Sequence, residues 1–212
     1  MVFSFSSKKK GMTLIEMLVA ISIMIIAMEG FTYVFVRSWE NNRFTIEMGL
    51  ASTTASRAVN QTIIQLRAIK QADNGDFPIE EADDFDLTIY TDIDDDGVTE
   101  RVHYYLDLAT DEFKRGVTDP NTATIPVTYP SGDTTTTVMA KYITNSSTEP
   151  IFYYYNGDYP GDTVNNPLAT PASVGNIQLV KVKIKVNINP ARAPENINLE
   201  SFVDLRNMHN YE

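Results

Sequence analysis

Hydrophobic and polar positions change their period as the chain proceeds. From Met17 to Val36 nearly every residue is apolar, with only Ser22, Glu29, Gly30 and Thr32 interrupting. A run of about 20 residues at about 1.5 Å each reaches across a hydrocarbon layer of about 30 Å, so this segment predicts a membrane-spanning helix. Phe44, Met48, Ala51, Ala55, Val59, Ile63 and Leu66 then recur at steps of three and four, one apolar face of a helix. Arg57, Asn60, Gln61, Gln65 and Arg67 are expected on its remaining surface. No proline precedes Pro78, and Asp73-Asn74-Gly75-Asp76 supplies a stop. The two patterns therefore read as one helix from about residue 13 to about residue 72, with Gly30 and Gly49 as its bend points.

Beyond Pro78 the period falls to two. Phe85, Leu87 and Ile89 alternate with polar residues, as do Val102, Tyr104 and Leu106, and Thr91 to Gly97 joins them, so they predict a hairpin. Further strands are expected at Val138 to Ile143, Ile151 to Tyr155, Ile177 to Ile188 and Leu199 to Arg206, with Lys181, Lys183 and Lys185 on one face of the third. Thr118 to Asp133 and Tyr159 to Val174 are rich in Pro, Thr, Asn and Gly and read as long loops. The fold class is α+β, a long N-terminal helix packed on a C-terminal antiparallel β domain. Its parts are 1–11 before the helix, 12–40 apolar, 41–76 amphipathic and 77–212 globular.

Lys8, Lys9 and Lys10 lie just before the apolar run, which keeps that end in the cytoplasm and exports everything after Val36. Val36-Arg37-Ser38-Trp39 offers no small-residue cleavage pattern, so the apolar segment is expected to stay on the protein. Glu16 is the anomaly, because a carboxylate at the start of a membrane helix is costly unless it has a partner.

Lys-Lys-Lys-Gly followed by Met12-Thr13-Leu14-Ile15-Glu16 and the apolar run resembles the processing site of type IV prepilins and pseudopilins. The resemblance implies that residues 1–11 are a cytoplasmic leader, that a prepilin peptidase cuts after Gly11, and that Met12 becomes the N-methylated first residue. It implies an assembly role for Glu16, whose carboxylate would neutralise the Met12 ammonium of a neighbouring subunit and so remove two unpaired charges together. Implied partners are other pilin or pseudopilin subunits, the peptidase, an inner-membrane assembly platform and, before assembly, membrane lipid. Two positions depart from the usual pattern, Met12 where phenylalanine is common and Tyr33 where many major pilins have proline. The Asp-rich hairpin, the Phe152-Tyr153-Tyr154 strand and the Val203 to Asn207 ending resemble PilW-like and J-type minor pseudopilins.

Charge sharpens the picture. The chain of 212 residues carries a formal net charge of -11 and no cysteine. Disulfides, thiolate zinc sites and thiol nucleophiles are excluded, and no basic patch suggests a nucleic-acid partner. From Asp73 to Glu112 there are 15 Asp or Glu and a single Arg. Asp92, Asp94 and Asp96 alternate there, followed by Gly97, the Val98 carbonyl and Glu100, a series of oxygen donors like the first part of an EF-hand loop. His103 stands where that loop needs a bidentate Glu, and the flanks are strands, so an EF-hand is rejected. Two readings stay open, a calcium loop of another geometry with weak, extracellular-grade affinity, or a solvated acidic tip that discourages aggregation. Catalytic motifs are absent from the sequence, His103 reads as a strand residue and His209 sits near the C-terminus, so no enzyme activity is expected.

The expected function is a structural subunit, a minor pilin or pseudopilin of a type IV pilus or a type II secretion-like filament. It would start as a single-pass inner-membrane precursor and end in a periplasmic or extracellular filament. The alternatives are a pilus-tip adhesin, a competence pseudopilin, and a membrane-anchored exported binding domain. Clustered tyrosines at 153, 154, 155 and 159 suit the adhesin.

Overall fold

The computed structural model describes residues 11–192 and 196–210, the side chains of His209 and Asn210 excepted, so the lysines at 8 to 10 lie outside the described residues. The chain divides into two units, Met1–Ile46 and Glu47–Glu212. A single helix, α1 (Leu14–Arg67), begins in the first and ends in the second, unbroken at Gly30 and Gly49.

From Leu14 to Trp39 the apolar side chains of α1 are exposed, Leu14 at 82% and Phe31 at 71% among them. The hydroxyls in this stretch are satisfied within the helix: Ser22 donates to the Leu18 carbonyl and Thr32 to the Met28 carbonyl, each at 2.8 Å. That is how polar side chains are carried at low cost in a nonaqueous medium. By length and composition the helix is able to cross a membrane.

In the second unit the remaining turns of α1 bury Met48, Ala55, Ala58, Val59, Ile63 and Leu66. The first sheet has the order β1 (Ile79–Ala82), β2 (Asp86–Thr91), β3 (Glu100–Asp107), β4 (Glu112–Thr118) and β5 (Thr135–Lys141), antiparallel throughout. The second has β6 (Phe152–Tyr155), β7 (Leu179–Val186) and β8 (Ile197–Asp204), also antiparallel. One core serves both sheets and the helix, with Leu66, Leu87, Tyr104, Phe113, Phe152 and Val182 all buried in it. The sheets are also tied by backbone, because Ile151 and Phe152 both donate to the Asp84 carbonyl at 3.1 Å.

Three details depart from the sequence pattern. The helix ends at Arg67 rather than near residue 72, since the Lys70 amide donates to the Tyr90 carbonyl at 2.9 Å and draws the chain into extended pairing beside β2. Gln65, expected on the outer face, is buried at 8% exposure, because Thr62 and Ile69 next to it on the same side of the chain are buried as well and the stripe is wider than one seam. Strands β1 and β4 carry too little alternation to be read in advance. The first is four residues long, and the second has Lys114, Arg115 and Gly116 at its centre.

Candidate functional site

Two places hold chemistry, one in each unit. In the first, α1 starts with Thr-x-x-Glu, the capping-box pattern. The Glu16 carboxylate Oε2 accepts from the Thr13 amide at 2.8 Å and from the Thr13 hydroxyl at 2.9 Å. In return the Glu16 amide donates to Thr13 Oγ1 at 3.3 Å. The first turn of any helix leaves amides unpaired and carries positive partial charge, and here a carboxylate from the third helical residue offsets both. Thr13 is thus a working residue that the sequence reading passed over, although the four-residue spacing was the signal for it. Met12, the residue before the cap, is 70% exposed. A Cβ placed on Gly11 would meet nothing within 4 Å, so this fold does not itself require glycine there.

In the second unit, β2 and β3 pair in register from Asp86 with Tyr105 to Thr91 with Glu100. The intervening residues 92–99 form the acidic loop, which turns through positive φ at Asp95 (60°) and Gly97 (91°). This brings Asp92, Asp94 and Glu100 together, with one carboxylate oxygen of each within 4.8 Å of the others. Asp96 points to the loop's own backbone instead, accepting from the Val98 amide at 2.8 Å. Lys70, just beyond α1, reaches Asp92 Oδ2 at 3.0 Å, and the Gly97 amide donates to the same oxygen at 3.2 Å. Asp92 Oδ1 is enclosed and has no hydrogen-bond partner. Glu100 accepts from the Ile93 amide at 2.8 Å and is 6% exposed.

The electrostatics of the two enclosed acids diverge. The Lys70 hydrogen bond holds the Asp92 carboxyl below the usual range against the effect of burial. Burial pushes the Glu100 carboxyl up, the Ile93 amide pulls it back, and the charges of Asp94 and Asp96 add to the rise. The loop therefore holds more negative charge than Lys70 offsets.

The clustered tyrosines do not form an exposed patch. Tyr154 and Tyr155 are buried, and the Tyr159 ring packs against Tyr155 in a tilted arrangement, at 4.4 Å between ring centroids. An open cleft beside them is lined by Asn156, Tyr159, Pro160, Gln178 and Phe202 among others. No curated protein and no solved structure matches the chain. Residues 6–28 match the prokaryotic N-terminal methylation motif, which takes in Gly11, Met12, Thr13 and Glu16 together with the first turns of the apolar helix. Through that stretch the chain carries the type IV prepilin-type signature.

Proposed function

We propose that the chain is a structural subunit, a minor pilin or pseudopilin, of a type IV pilus or type II secretion-like filament. Its precursor sits in the inner membrane, loses residues 1–11 to a prepilin peptidase, and enters the filament through α1. The reading rests above all on one observation: the methylation motif runs directly into a helix whose apolar side chains are exposed in the isolated chain. Such a surface is stable only in lipid or against equivalent helices, and a filament core supplies the second.

Two local features support this. Glycine at position 11 has no steric reason in the fold, which fits a residue demanded by an enzyme that reads the chain. Glu16 is held at the helix start by Thr13, where its carboxylate would receive the Met12 ammonium of an adjacent subunit. The competence reading is weakened, because Lys181 pairs with Glu200 at 2.9 Å and Lys185 pairs with Glu149, leaving little free positive charge on β7.

The test is intact mass and N-terminal sequencing of the protein from cells with and without the prepilin peptidase, beside a Gly11→Val variant. A chain starting at methylated Met12 is expected only when peptidase and Gly11 are both present. Retention of residues 1–11 under every condition would overturn the reading. Fractionating filaments would then separate a shaft subunit from a tip adhesin.

A further inference from the structure

The register of the second sheet sets Tyr155 of β6, Leu179 of β7 and Asp204 of β8 side by side across one end. Beside that end lies a cleft of about 480 Å³, within the range of about 300–1,000 Å³ usual for small-ligand sites. Its apolar floor is aromatic. The buried Tyr155 ring packs against Tyr159 at 4.4 Å and Phe202 at 6.0 Å between centroids, and these two line the cleft at 36% and 40% exposure. Its wall is preformed. Asn166, itself buried, donates through Nδ2 to Asn156 Oδ1 at 2.7 Å and to the Asp162 carbonyl at 3.0 Å, and its Oδ1 accepts from the Asn156 amide at 3.0 Å. A site built in advance loses little entropy on binding.

A separate observation concerns Gln178. Its main chain is fixed on both sides, donating to the Tyr155 carbonyl and accepting from the Leu205 amide, each at 2.9 Å. Its carboxamide has no hydrogen-bond partner among the described residues, although Gln178 lines the cleft. That carboxamide lies against Gly157, where a Cβ would fall 2.6 Å from Oε1. The backbone at Gly157 is outside the left-handed region, so close approach, rather than conformation, is what glycine serves there. The turn thus makes room for a group with two donors and an acceptor that the fold itself does not use.

We infer that this cleft binds a neutral saccharide, with Tyr159 and Phe202 beneath the apolar C–H face of a pyranose ring and the Gln178 carboxamide bonded to its hydroxyls. A sugar joins an apolar face to hydroxyls that both donate and accept, which an aromatic floor beside an unused carboxamide matches. An anionic ligand does not fit. Among the described residues no Lys, Arg or His lines the cleft while Asp204 does, and Lys181, whose ammonium lies 5.2 Å from the Phe202 ring centroid, is already paired with Glu200. A proline-rich segment offers carbonyl acceptors but few N–H donors, so it would leave Gln178 Oε1 unmet. An open cleft covers only part of its ligand, so affinity belongs at the weak end, with Kd of about 10⁻³ M. The inference does not rest on the filament reading, and the processing assay neither supports nor weakens it.

Saturation-transfer NMR on the full chain tests the site, in a zwitterionic detergent because a maltoside would itself compete. The probes are cellobiose, lactose, mannobiose and chitobiose, with sialyllactose and a polyproline peptide as controls. Saturable binding of at least one of the neutral disaccharides is expected. Gln178 is partly exposed, so Gln178→Ala leaves the fold intact and is expected to weaken that binding about tenfold. Gly157→Ala, whose Cβ displaces the carboxamide, is expected to weaken it several-fold. Tyr159→Ala is expected to abolish it where Tyr159→Phe, which keeps the ring, retains it. Absence of saturable binding of any of these disaccharides up to about 10 mM, roughly tenfold above the expected Kd, would overturn the site. So would binding that Gln178→Ala and Tyr159→Ala leave unchanged, or tighter binding of sialyllactose or the peptide.

Discussion

His103 projects from β3 between two carboxylates. Its Nε2 lies 3.1 Å from Asp86 Oδ1 and its Nδ1 lies 3.3 Å from Asp133 Oδ2, while the ring stacks on Tyr105 at 4.6 Å. Only the imidazolium donates to both acids at once. Burial lowers the proton affinity of the ring, but the bonds and charges of Asp86 and Asp133 outweigh it, and the net shift is upward. A group whose folded-state pKa is raised contributes stability that is complete below its unfolded value of about 6.5 and disappears as pH climbs through the folded value. Thermal melts of the full chain between about pH 6 and pH 8 are therefore expected to show a falling Tm, and His103→Gln to flatten that slope. An unchanged slope in the variant would mean that the paired acids do not stabilise the charged ring. None of this was visible in advance, since Asp86 and Asp133 are 17 and 30 residues from His103.

At the scale of elements, the same contact explains a glycine in the middle of β4. A Cβ on Gly116 would collide with the carboxylate of Asp133, which lies across the strand on its way to His103. The long loop before β5 is pinned there from several sides. Arg101 donates to the carbonyls of Pro130 at 2.8 Å and Gly132 at 3.0 Å, and the Tyr129 hydroxyl donates to the Thr99 carbonyl at 2.7 Å. Gly116→Ala is expected to cost about 1–3 kcal/mol by forcing Asp133 aside. It is also expected to return the His103 titration, followed by NMR, toward the ordinary value. A normal Tm together with an unshifted histidine would show that Asp133 is not held by this notch. The helix has an equally local determinant at its start, where Thr13 and Glu16 close the capping box.

At the scale of the whole molecule each unit stands on a different support. In the second, Phe113 from β4 stacks on Tyr104 at 6.1 Å and meets Phe152 of the other sheet at 6.3 Å. It is fully buried, so it links the two sheets within the common core. Phe113→Ala is expected to destabilise the domain by about 3–5 kcal/mol, measured by denaturant unfolding of the full chain in detergent. A loss below about 1 kcal/mol would mean that the sheets hold together without it. The first unit has no comparable core among its described residues, and most apolar side chains of its helix are exposed.

What the sequence determined unaided was everything governed by near neighbours. The apolar run, the N-terminal methylation motif that takes in Gly11, Met12 and Glu16, the β2–β3 hairpin and the acids in its loop are all set by spacings of a few residues, the range over which helix and strand periods act. Two-residue alternation likewise marked β7, because it buries one side chain in two. Tertiary structure alone decided the rest. The helix stops at Arg67 because β2 offers Lys70 a backbone partner, and a segment with Lys114, Arg115 and Gly116 at its centre becomes β4 because its neighbours β3 and β5 complete its hydrogen bonds. It also chose which acids converge, taking Asp92, Asp94 and Glu100 and turning Asp96 inward to the turn. Those outcomes depend on groups far apart in the chain meeting in space, and local periodicity carries no record of such meetings.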